Sequence, residues 1–92
     1  MTTIWKYTLE VTAAQTVDIP AGSTILLPAQ AQDGKIVLWA VVDPAAPPVP
    51  NEFRIFRTGA PADFAPDSAG NHYAGSVQLG QFVGHVFHIR PP

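Results

Sequence analysis

Alternation of apolar and polar residues opens the chain. In IWKYTLEV, Trp5, Tyr7, Leu9 and Val11 fall on one side and Lys6, Thr8 and Glu10 on the other, the period of a half-buried strand. TVDIP reads as a short second strand stopped by Pro20, with Ala21-Gly22-Ser23 as a turn. TILLPAQAQ follows, and Pro28 within it lacks an N–H, so it belongs at an edge or a bulge. Asp33-Gly34 is the strongest hairpin signal, because both central positions of a type I′ turn need positive φ. A two-residue loop there pairs Gln32 with Lys35 and sets KIVLWAVV antiparallel to ILLPAQAQ.

Ile36–Val42 is a run of seven apolar residues. A strand apolar on both faces is covered on both faces, so the run reads as the central strand of a sandwich, a barrel or a subunit interface, with Trp39 in the core. DPAAPPVPNE is extended or turn-like, since a residue before proline is pushed out of the helical region. EFRIFRT resumes strand character, with Phe53 and Ile55 alternating against Arg54 and Phe56. Residues 43–52 and 59–71 are expected as loops, the second the more mobile. HYAGSVQL and FVGHVFHIR close the chain as a hairpin across Gly80-Gln81. In the last strand Val83, His85, Phe87 and Ile89 share one face, and Phe82, Val86 and His88 the other. The sum is one all-β domain over residues 1–92, a small antiparallel sandwich or partly open barrel of about seven strands.

Composition changes this picture in two ways. A chain of 92 residues holds one modest core, and it has no cysteine to reinforce it with disulfides. It is 47% hydrophobic and only 13% charged, about half the usual charged fraction, so a homo-oligomer is expected to cover surplus apolar surface. The net charge is −2, and the five cations Lys6, Lys35, Arg54, Arg57 and Arg90 are too scattered for a duplex-DNA footprint. MTTIWKYTLE shows no basic region followed by an apolar one, so no signal peptide is expected. The longest apolar run falls far short of the roughly 20 residues of a membrane helix, so a soluble intracellular protein without membrane partners is the expectation.

Candidate chemistry is sparse. His85 and His88 are three apart, which on a strand sends them to opposite faces, so they do not chelate one ion. No metal or other cofactor is expected, and His85 reads first as a hydrogen-bonded core histidine. The three serines lie outside any nucleophile elbow, seven carboxylates occur singly, and no phosphate-loop or dinucleotide motif is present. The expectation is a non-enzyme with no catalytic residues. Arg54 and Arg57, followed by Thr58-Gly59, offer planar donors suited to phosphate or carboxylate, although strand geometry points them to opposite faces. Their plainer reading is solvated or salt-bridged sheet arginines. Trp5 and Tyr7 share a face that either stacks a purine base or fills a small core. Candidate ligand-binding residues are therefore Arg54, Arg57, Trp5, Tyr7 and His85.

TIWKYTLE, LWAVVDP, FRIFRTG and YAGSVQL…HVFHI occur in an order that resembles a family of short tailed-phage and prophage proteins, over nearly the whole chain. The long alanine- and proline-rich loops depart from that family's pattern, and no site residue is carried over from it. The resemblance implies an accessory protein of a mobile genetic element, working in the host cytoplasm or carried in the virion. From this comes the expected function: an oligomeric counter-defence protein that sequesters a small phosphorylated, nucleotide-derived ligand. The alternative is a protein–protein module, either a virion decoration piece or an inhibitor of a host protein.

Overall fold

The structure, a computed structural model, describes residues 1–61 and 71–89, with Asn71 described in its backbone only. Seven strands are present and, among the described residues, no helix: β1 (Thr3–Leu9), β2 (Ala14–Pro20), β3 (Thr24–Gln32), β4 (Lys35–Val42), β5 (Pro48–Arg57), β6 (Asn71–Leu79) and β7 (Phe82–Ile89). They form two antiparallel sheets, β1-β4-β3 and β2-β5-β7-β6, that face each other as a sandwich without closing into a barrel.

The two tight hairpins follow from their turn residues. Gln32 pairs with Lys35 around Asp33 (φ 53°) and Gly34 (φ 75°), both left-handed as a type I′ turn requires. Leu79 pairs with Phe82 around Gly80-Gln81, where Gly80 alone has positive φ, in the manner of type II′.

β4 is the central strand of its sheet, but its two faces are covered differently. Ile36, Leu38, Ala40 and Val42 are fully buried and belong to one core cluster with Phe53, Ile55 and Val86 of the opposite sheet. The alternate residues Val37, Trp39 and Val41 lie on the outer face, where Val37 is buried and Trp39 and Val41 only half-buried. Trp39 is thus not a core residue: a sandwich covers one face of each sheet, and the other is shielded only by neighbouring side chains. One of these is Lys6, opposite Trp39 in the ladder, whose ammonium donates to the Gln32 side chain on the far strand. That reach spans the β4 surface, and its aliphatic stem shields apolar atoms beneath it.

β5 starts at Pro48, earlier than the proline-rich sequence implies, so only residues 43–47 of the expected first loop connect strands. The Ile55 N–H donates to the Ala13 carbonyl on the β2 side. Alternation then turns the nitrogens of Pro48 and Pro50 towards β7, whose ladder with β5 begins only at Glu52. Neither proline forfeits a ladder bond. Of the second expected loop, residues 62–70 lie outside the described residues, and Asn71 already belongs to β6.

Pro28 sits where the β3–β4 register breaks, between Leu26 and Gln30, as a residue without a donor should. The bulge packs on another in β6, between Tyr73 and Gly75. Gly75 has φ 119°, and a Cβ there would lie 2.8 Å from the Pro28 Cβ and 3.1 Å from the Ala29 nitrogen. Conformation and contact both demand glycine at this seam between the sheets. Gly75→Ala is expected to lower stability by about 3 kcal/mol, the sum of backbone strain and overpacking. Gly59→Ala, at φ 88° with open space around it, should lose only about 1 kcal/mol. Urea denaturation of the two variants checks the difference, and equal losses would refute the close seam.

Candidate functional site

Beyond that seam a cavity of about 530 Å³ opens between the two sheets, within the range of small-molecule sites. One wall is Ser23, Thr24, Ile25 and Leu27 from the β2–β3 turn and early β3; the other is Asn51 of β5, His72 and Tyr73 of β6, and His88 of β7. The Ser23 hydroxyl donates to the Pro20 carbonyl, fixing the turn that forms the rim. No Lys or Arg is among the described lining residues.

Two buried polar side chains, His88 (8% exposed) and Asn51 (6%), form part of the lining. The Asn51 side-chain nitrogen donates to the Val49 carbonyl at 3.0 Å, which leaves its oxygen to accept from His88 Nε2 at 2.8 Å. With the Asn51 oxygen as acceptor, His88 Nε2 is the donor of this bond. The imidazole also lies against the Phe53 ring, centroids 5.0 Å apart. A buried polar pair with satisfied bonds is rigid and holds its orientation. His72 is directly opposite His88 in the β6–β7 ladder and is exposed, so the two imidazoles share the inner face at this end of the sandwich.

The residues singled out from sequence lie elsewhere. Arg54 is on the outer face of the four-stranded sheet, its Nε 2.7 Å from Glu52 Oε2, two residues back on the same face. His85 is on that outer face too, with Nδ1 2.7 Å from the Ser76 hydroxyl and Nε2 2.7 Å from that of Thr58. Tyr73 extends the chain of hydroxyls by bonding Ser76. His85 is therefore a surface histidine, and His88 is the core one: Phe53 and Val86 face inward, and strand parity carries His88 in with them and His85 out. Arg57 is exposed at the end of β5. Trp5 and Tyr7 are on β1 in the other sheet, opposite Ala40 and Leu38. None of the five lines the inter-sheet cavity, and they meet only in pairs: Arg54 with His85 on the outer face of one sheet, Trp5 with Tyr7 on the inward face of the other. Among the described residues no three His, Cys, Asp or Glu side chains converge as a metal site would require.

Asn51, His72 and His88 are the functional candidates that sequence reasoning misses. Counting back from the two-residue turn at Gly80-Gln81 places His72 opposite Ile89. The single-residue bulge before Gly75 shifts the ladder so that His72 meets His88.

Tyr7 has a separate signature. Its hydroxyl is buried without a hydrogen-bond partner, and burial raises its pKa above the ordinary 10.0. Below pH 10 the phenol is neutral in folded and unfolded chains alike. Above it the unfolded chain ionises first, so folding stability drains away as pH rises towards the folded-state value. Tyr7→Phe is expected to raise stability at neutral pH by about 1 kcal/mol, through relief of an unsatisfied buried group. It should also flatten the decline above pH 10. Chemical denaturation at pH 7 and pH 11 checks both, and a destabilised Tyr7→Phe would mean that the hydroxyl has a partner.

No curated protein and no solved structure matches the chain at a significant level. A family does match, over residues 1–92, the one described as Domain of unknown function (DUF7352). Its span takes in every strand, the cavity and the β1 edge alike, and the chain belongs to that family.

Proposed function

We propose that this protein is a non-enzymatic binder that holds a small organic ligand in the cavity between its sheets. The observation that carries the reading is the Asn51–His88 pair: two buried, oriented polar side chains in the lining of a cavity of about 530 Å³. Ligand sites are mostly apolar enclosures with a few fixed polar groups. Here Ile25, Leu27 and Val49 supply the apolar surface, and His88, His72 and Ser23 the polar groups.

A planar, hydrogen-bonding ring of nucleobase type suits this lining. The phosphate of a nucleotide-derived ligand would sit at the mouth, by exposed His72, with imidazole and hydroxyl groups doing what arginine does elsewhere. Retention of such a ligand in the host cytoplasm, as the counter-defence of a phage or prophage, is the role we assign on the strength of the sequence resemblance. A second reading, a protein–protein module, draws on the apolar outer surface around Ile4 and Leu26.

The test is thermal-shift and calorimetric titration with nucleosides, nucleoside monophosphates and cyclic dinucleotides, alongside native mass spectrometry of protein from infected cells. Leu27→Trp, which puts an indole at an exposed lining position, is expected to abolish binding while changing stability by less than about 0.5 kcal/mol. His72→Ala should weaken binding about tenfold, the equivalent of one good polar contact. Titrations without binding, together with protein free of releasable small-molecule mass, would overturn the proposal. Stable presence in purified virions would favour the second reading.

A further inference from the structure

We propose that β1 is the seat of a two-fold homodimer, in which the β1 strands of two copies pair antiparallel and join two three-stranded sheets into one of six. An unpaired strand edge is a template for another strand unless something blocks it. The sandwich has four edges: β1, β3, β2 and β6. β3 and β6 are each broken by a bulge, and they pack on each other where Gly75 meets Pro28. β2 carries exposed Asp18 and ends in Pro20. β1 has none of these devices. It has no proline, glycine or bulge, its register with β4 is regular from Thr3 to Leu9, and its described backbone hydrogen bonds run to β4 alone.

A lysine on an edge strand normally guards it. Lys6 is the one charge on β1, and its ammonium is tied across the sheet to Gln32, so the guard is drawn away from the edge. Beside it Ile4 is 58% and Trp5 42% exposed, large apolar side chains left at the border of a chain with few charges.

The register identifies the occupant as a second copy. A two-fold axis perpendicular to the sheet keeps every residue on its own face, so residues of like parity meet. Centring the axis on Lys6 would set two lysines opposite each other. Centring it on Trp5 lays the two indoles together, sets Ile4 against Lys6 of the second copy, and Thr3 against Tyr7. Each exposed apolar residue is then covered and no like charges meet, whereas a foreign strand would have to supply these matches by chance. This interface is independent of the cavity.

Sedimentation velocity of the full chain over a thousandfold dilution is the experiment. The wild type should be dimeric at the upper end and dissociate on dilution. Ile4→Lys puts a lysine opposite Lys6 of the second copy and should raise the dissociation constant at least tenfold. Its exposure means that the fold persists, which circular dichroism verifies. Adding Lys6→Glu to Ile4→Lys should restore the dimer and make it salt-sensitive. A wild type monomeric throughout, including one that captures extended peptides through β1, overturns the proposal. So does a dimer indifferent to Ile4→Lys, or one that the double substitution fails to rescue. Ligand titrations with the Ile4→Lys monomer keep the two proposals separable, since the cavity lies within one chain.

Discussion

Everything in this fold hangs on burial of one face of β4. Ile36, Leu38, Ala40 and Val42 are sealed against Phe53, Ile55 and Val86, and in a strand such a choice of parity leaves no freedom to the neighbours. Through the ladders it turns Tyr7 and Leu9 of β1 inward and leaves Ile4 and Lys6 outside. Across the sandwich, inward Phe53 pairs with His88 and inward Ile55 with Val86. A buried histidine is the consequence. Asn51, also inward on β5, supplies the acceptor that makes its burial tolerable.

A core this small gains from close approach of its sheets. The Gly75–Pro28 seam provides it, with Ala29 and Ala74 adding small buried side chains at the same place. Small residues let backbones meet, but only locally. One step along, the facing residues are Ile25 and Leu27 on β3 and His72 on β6. These are too large to repeat the contact and too few to fill the space they hold open. The cavity is therefore the continuation of the seam by other means, and its wall geometry depends on the two bulges that form the seam.

Much of the fold is legible in the chain, because tight turns and strand parity are local. Asp33-Gly34 and Gly80-Gln81 define two hairpins, Pro28 announces its bulge, and the spacing of His85 and His88 separates them to opposite faces. Which face is which is not local. It is decided by the opposite sheet, and so His88 rather than His85 enters the core. Trp39 is placed wrongly for a related reason: an apolar run does not say whether a second layer covers it. The cavity is illegible for a third reason. It is built from five separate strands and a turn, and from a one-residue bulge that brings His72 to His88, and neither hairpin counting nor motif spacing registers such a shift.

The two faces of the sandwich divide polar chemistry in a way that bears on where a ligand belongs. Outside, His85 is held between Ser76 and Thr58 on an open sheet surface, and Arg54 is engaged by Glu52. Those contacts are made in high dielectric, where an ion pair contributes little, and a ligand would compete with water for each of them. Inside, the Asn51–His88 pair is already desolvated and oriented, so a ligand meeting it loses less entropy and displaces less tightly held water. The protein carries more polar groups on the outer surface, but the fewer groups inside are the better prepared. That difference, and not the number of donors, is why the inter-sheet cavity rather than the arginine-bearing face is the place to look for a bound molecule.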